Sequence, residues 1–188
     1  MIAYKGFSKD LTARLGKGTF QFKMNETVEE KEAKCANTGF HCAEEPLDVL
    51  SYYSGKDDRY CVVRAGGDIH EDANGSRISC TKMTLLKEIS LRELVMEECI
   101  FLYKHPNRKY SDLVKREKGE AVNNFVIVRG KNPIAKGKAG TELFYLQEEE
   151  NSSLIIGIGM YKVDGKEKLE GTYYDICGNE VADDQERT

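Results

Sequence analysis

Cys35-Ala-Asn-Thr-Gly-Phe-His41-Cys42-Ala-Glu-Glu-Pro46-Leu-Asp-Val-Leu-Ser-Tyr52-Tyr53 is the stretch whose reading decides the fold. Thr38-Gly39 is a turn signal, and Phe40-His41-Cys42 is a short apolar run that predicts a strand. Pro46 suits the first position of a helix, because its missing N–H has no intrahelical partner there. Leu47, Leu50 and either Val49 or Tyr53 then recur at helical spacing. The reading is strand, tight junction, short helix, with His41 at the junction, where a polar side chain can point into a cleft.

Upstream, Ile2 to Phe7 predicts a first strand with Tyr4 and Lys5 on opposite faces. Ser8 to Gly18 reads as a loop. Thr19 to Met24 alternates apolar and polar residues as a strand does, and Glu26 to Lys34 is a short helix or an exposed connection. Downstream, Arg59 to Ala65 predicts a strand that ends at Gly66-Gly67, Asn74-Gly75 is a hairpin signature, and Ile78 to Leu86 is a further strand. Ser90-Leu-Arg-Glu93 is a capping box, in which Ser90 accepts from the amide three residues on and Glu93 reaches back. Leu91, Leu94, Val95, Glu98, Ile100, Phe101 and Leu102 follow on a largely apolar face, and Pro106 lies just past the end, so a helix is expected over about 91–104.

Past that helix the texture changes. Residues 107–119 are dense in Lys, Arg and Glu and read as a charged linker. Phe125-Val-Ile-Val128, Leu143-Phe-Tyr-Leu146, Leu154 to Val163 and Thr172 to Cys177 then predict strands, three of them joined by tight turns as an antiparallel meander. The fold class expected is therefore α+β: a mixed or mainly antiparallel sheet with two helices over 1–106, the linker at 107–119, a small C-terminal antiparallel β appendage over 120–181 and a frayed tail at 182–188.

Of the 188 residues, 40% are apolar, enough for a core, and the net charge of −4 argues against general nucleic-acid binding, which needs a basic face. Leu154 to Met160 is the longest apolar run and is far too short to span a bilayer. The N-terminus, Met-Ile-Ala-Tyr-Lys-Gly, has no basic region followed by an apolar one, so a cytoplasmic protein with six reduced thiols is expected.

Tyr4-Lys5-Gly6-Phe7, Gly39-Phe40-His41, Glu45-Pro46-Leu47-Asp48 and Tyr52-Tyr53 together resemble a group of uncharacterised bacterial and prophage proteins that share an N-terminal domain of unknown function. In many of them the middle of the chain carries repeats that look like a small β-solenoid, and Asn123 to Lys138 is where a remnant of one or two such repeats is expected here. The segments Ala135-Lys-Gly-Lys-Ala-Gly140 and Tyr161-Lys-Val-Asp-Gly-Lys166 are similar to the end of those relatives. The resemblance implies architecture and a phage or prophage origin rather than a chemistry. The group has His-Ala-Cys where this chain has His41-Cys42-Ala43, a shift that sends the thiol to the opposite face of a strand.

Three chemistries could draw on these residues. A zinc site would draw on Cys35, His41, Cys42 and Cys61 or His70, but the short paired spacings of structural zinc are missing, so no metal is expected. A Cys42 nucleophile with His41 as its base conflicts with strand geometry, since adjacent residues face apart. By analogy, the layout also looks like that of mono-ADP-ribosyltransferase domains, which would make Lys5, His41, Tyr52 or Tyr53, and Glu71 or Glu88 the groups around NAD. Lys5 stands where such enzymes usually carry Arg or His, and Glu-x-Glu is missing. The pairs Gly66-Gly67 and Gly157/Gly159 lack the spacing of phosphate loops. The expectation is a non-enzymatic, phage-type protein that binds a host or phage macromolecule without a cofactor. The alternative is an ADP-ribosyltransferase-like or NAD-binding protein. The candidate ligand-binding residues are Lys5, His41, Tyr52, Tyr53 and Arg59.

Overall fold

A computed structural model describes residues 1–13, 18–72 and 75–183. In chain order the elements are β1 (Ile2–Phe7), β2 (Thr12–Ala13), β3 (Phe20–Gln21), β4 (Thr27–Glu29), β5 (Phe40–Ala43), a 3₁₀ helix (Pro46–Ser51), β6 (Arg59–Glu71), β7 (Arg77–Ile89), α1 (Leu91–Lys104), β8 (Val114–Ala121), β9 (Phe125–Gly137), β10 (Glu142–Glu148), β11 (Ile155–Lys162), β12 (Tyr173–Asp175) and β13 (Glu180–Val181). Strand accounts for 49% of the structure and helix for 11%, and the strands form three sheets, so the fold is mainly β and the α+β expectation is corrected. The reason is local. Segments without an apolar run, such as 27–29 and 114–121, take strand conformation because a neighbouring strand satisfies their backbone hydrogen bonds.

The chain divides into two compact units, Met1–Glu98 and Cys99–Thr188, with the division inside α1. In the first unit β6 and β7 form a hairpin of 13 residues on each side. Asp72 N–H bonds to the Arg77 carbonyl at 2.9 Å at the end of this pairing; of the expected Asn74-Gly75 hairpin signature, Asn74 lies outside the described residues. β1 pairs along β6 from Ile2/Arg64 to Phe7/Arg59, β5 pairs with β7 from Phe40/Cys80 to Ala43/Arg77, and β1 meets β5 at Tyr4/Ala43. The circuit β1–β6–β7–β5 therefore closes on itself, and β4 adds to β7. Its core contains Ala3, Phe7, Phe22, Phe40, Cys42, Cys61, Val63, Cys80, Met83 and Leu85.

The junction at Pro46 forms as its residues dictate, as a 3₁₀ helix with Pro at its start and Leu47 and Val49 buried. α1 spans the expected residues and carries the capping box. Glu93 accepts from Ser90 N–H at 2.8 Å, and Ser90 Oγ accepts from Glu93 N–H at 3.2 Å.

In the second unit part of the expected charged linker is a strand, and the expected antiparallel meander holds for β10 with β11 but not for β12, which pairs with β9. β8 occupies Val114–Ala121 and runs parallel to β9, which runs parallel to β10. Val114, Ile127 and Phe144 lie side by side on the three strands. Only residues 122–124 separate β8 from β9, so parallel pairing requires the chain to bend and complete a circuit within the strands themselves. Stacked circuits of this kind are the geometry of a β-solenoid. One corner is visible at Glu117, which has φ 58 and sits at the register shift between β8 and β9. Its carboxylate accepts from the N–H groups of Lys131 and Asn132 at 3.1 and 3.2 Å, and Gly130 leaves room for it, since a Cβ there would stand 2.4 Å from the carboxylate. β11 pairs antiparallel with β10, and β12 pairs antiparallel with β9 and with β13. Ala121, Val126, Val128, Ala135, Leu143, Tyr145, Val163 and Tyr174 make the core. Beside it Arg129 and Glu148, both buried, pair at 2.7 Å.

Candidate functional site

A cavity of about 480 Å³ opens in the first unit where β1 and β5 touch at only one residue pair. Four of the five expected site residues, Lys5, His41, Tyr52 and Tyr53, line it. Arg59 is not among its lining residues. It holds Glu88 through two bonds of 2.7 and 2.6 Å and the Lys9 carbonyl at 3.0 Å, a role in joining β6 to β7. That pairing also occupies Glu88, one of the two carboxylates considered for ribosyl transfer. Neither Glu88 nor Glu71 lines the cavity.

Strand alternation places Lys5 with Ala3 and Phe7 on the inward face of β1. Lys5 is 7% exposed. Its Nζ donates to the His41 backbone carbonyl at 2.7 Å and lies 5.4 and 5.6 Å from the ring centres of Phe7 and Phe22. Among the described residues no carboxylate pairs with it. Burial therefore pushes the Lys5 ammonium below the ordinary lysine range, and the thiols of Cys42 and Cys80 oppose this only partly.

His41 is half-buried, and its Nε2 accepts from the Ala36 N–H at 3.0 Å. Burial, then the nearby charges of Lys5 and Arg77, lower its pKa, so the ring is held neutral. The turn that presents Ala36 needs left-handed backbone at Ala36 (φ 64) and Gly39 (φ 85). A Cβ on Gly39 would also come within 2.6 Å of Ser79 Oγ, so the glycine is required for both reasons.

Tyr53 is buried, and its side chain packs directly on Gly6, where an added Cβ would stand 2.6 Å away. That contact explains why Tyr4-Lys5-Gly6-Phe7 and Tyr52-Tyr53 belong to one structure. Tyr52 is exposed, and its hydroxyl accepts from Arg77 at 3.3 Å. Arg77 itself lines the cavity and pairs with Asp72. Sequence reading missed it, although its position opposite Ala43 follows from the hairpin once the register is known. The apolar wall is built by Phe20, Phe22 and Phe40, packed edge to face at 4.7–5.6 Å.

Cys42 also lines the cavity, but a hydrogen bond to the Cys80 thiol, then burial, raise its pKa and disfavour the thiolate a nucleophile needs. Among the described residues no cluster of three or more His, Cys, Asp or Glu is arranged to hold a metal ion, and none of the six cysteines is in a disulfide. No helix among the described residues is long and apolar enough to cross a membrane.

A second unusual group lies apart from the cavity's lining. Glu98 sits on the apolar face of α1, fully buried, and accepts from the Leu47 N–H at 3.1 Å. It thereby caps the 3₁₀ helix, whose N-cap residue Glu45 makes no side-chain cap. Burial, then the charge of Glu45, hold its carboxyl at about 8. A glutamate among Leu94, Val95 and Leu102 was the available signal.

Comparison with curated proteins and with solved structures finds no match for the chain. Residues 1–97 match one protein family, and this match covers almost the whole first unit, including β1, the strand–turn–helix junction and the cavity. The chain belongs to the family described as Domain of unknown function (DUF7666).

Proposed function

We propose that the chain is a non-enzymatic binding protein whose first unit takes an anionic small molecule with a flat ring, an NAD-derived nucleotide being the class to test first. The observation that carries this reading is Lys5, a buried ammonium beside a cavity with no carboxylate partner among the described residues. A buried charge without a counter-charge is costly, and a ligand carboxylate or phosphate would supply one. Arg77 adds a second cation at the cavity wall, and the Phe20, Phe22, Phe40 and Tyr52 side chains offer apolar surface for a ring. The volume lies within the roughly 300–1,000 Å³ usual for small-molecule sites. Binding is favoured over ribosyl transfer because neither glutamate expected for that chemistry, Glu71 or Glu88, lines the cavity, whose lining carboxylate is Glu30. A phage or prophage origin, with a host or phage macromolecule as the final partner, is part of the same proposal and rests on the resemblance alone.

The chain has no tryptophan and ten tyrosines, so tyrosine fluorescence and calorimetry can follow titration with NAD, ADP-ribose and AMP. Saturable binding that weakens at least tenfold in both Lys5→Met and Arg77→Ala, each still folded by circular dichroism, supports the reading. No binding across the panel, or binding indifferent to both substitutions, ends it. Labelled NAD transferred to a protein in a bacterial lysate would instead establish the transferase alternative.

A further inference from the structure

We infer that β11 is a self-association edge, through which two copies of the chain pair antiparallel and join their sheets into one. In the second unit's sheet β11 is the last strand on its side, with β10 as its only sheet neighbour among the described residues. The other end of that sheet finishes in β13, a strand of two residues that offers little to pair with. β11 is eight residues long and has none of the usual edge guards: no proline, and no charge before Lys162 at its end. Its inner face is covered, because Ile176 lies against Gly157 and Gly159. Its outer face is not: Ile156 is 62% exposed and Ile158 40%, and Leu154 just before the strand is 53% exposed. Three large exposed apolar side chains along one sheet edge call for a partner rather than for solvent.

The occupant that fits is a second copy, because the strand is complementary to itself when reversed. A two-fold axis through Ile158 sets Ile158 against Ile158 and Ile156 against Met160, an apolar row on the outer face, with Leu154 against the stem of Lys162 at each end. The charges also match. The turn before β11 carries Glu149 and Glu150, and its far end carries Lys162 and then Lys166. Antiparallel pairing brings each basic end to the other copy's acidic turn, whereas parallel pairing would set like charges together.

Sedimentation velocity of the full chain over a hundredfold concentration range, with and without substitutions, tests the inference. A monomer–dimer equilibrium is expected. Ile158→Lys puts two like charges on the axis and should weaken it at least tenfold; since Ile158 is partly exposed, folding should survive. Glu150→Lys and Lys162→Glu should each weaken the dimer, and the double variant should recover it. Hydrogen exchange gives a second readout, with the β11 amides gaining protection as concentration rises. A chain that stays monomeric throughout overturns the inference. So does a dimer unaffected by Ile158→Lys, or β11 protection that appears only when a foreign peptide is added.

Discussion

Lys5 and Glu98 are two buried ionisable groups with opposite signatures, and each makes a prediction at the scale of one residue. The Lys5 ammonium has a folded pKa below its ordinary 10.5. Between those two values the unfolded chain binds more protons, so stability rises with pH across that window. Lys5→Met removes the group while keeping most of its volume. The variant should melt higher than the natural chain at neutral pH, and the gap should close as pH approaches 10.5. A gap that is constant with pH would mean that Lys5 is not desolvated. Glu98 behaves in reverse. Its folded pKa of about 8 exceeds the ordinary 4.5, so its contribution is complete below 4.5 and is lost as pH rises through 8. The loss should approach about 1.4 kcal/mol per pH unit inside that window. Glu98→Gln keeps an acceptor for Leu47 and should flatten the profile, which thermal melts between pH 5 and 9 would read. Gly6 is the third such position. Gly6→Ala drives a Cβ into the side chain of Tyr53 and should cost about 1–3 kcal/mol, with loss of ligand binding in the same variant.

At the scale of elements, α1 and the junction at Pro46 were legible because their signals are local. Ser90 and Glu93 stand three apart and bond reciprocally wherever the helix sits, so Ser90→Ala should lower stability by about 1 kcal/mol in denaturant titration. β8 was not legible, and the reason is equally physical. Its buried positions, Val114, Gly119 and Ala121, are small, and the residues between them are all charged, exposed except for the half-buried Glu117 at the corner. Strand pairing with β9 stabilises it, not its own apolar content. Arg77 escaped for a related reason: its place in the cavity depends on the register between β5 and β7, which no local pattern records.

At the scale of the whole molecule, two units of similar size carry separate cores, and their stabilities can be probed separately. The second unit depends on Arg129 and Glu148, which are 1% and 4% exposed at their side chains. Arg129 also donates to the carbonyls of Pro106 and Ser153 at 2.7 and 3.0 Å. Arg129→Met leaves the buried Glu148 carboxylate with Arg116, 2.5 Å away, as its one remaining counter-charge among the described residues, and should cost about 1–3 kcal/mol; Arg129→Met with Glu148→Leu should recover part of that loss. Limited proteolysis should show the damage in 99–183, with the first unit intact. Cleavage spread evenly over both units would show that they unfold together.

The sequence by itself determined the strand at 2–7, the strand–turn–helix at the centre, the capped helix, and the grouping of Lys5, His41, Tyr52 and Tyr53 as residues of interest. Each rests on periodicity, a cap or a proline, which act over a few residues. Only the tertiary structure decided that β1, β6, β7 and β5 close a circuit, that β8, β9 and β10 stack in parallel, and that Arg77 faces the cavity while Arg59 does not. Those outcomes are set by pairing between segments distant in the chain. Backbone hydrogen bonds are the same for every residue type, so side-chain pattern alone does not say which strand will take them.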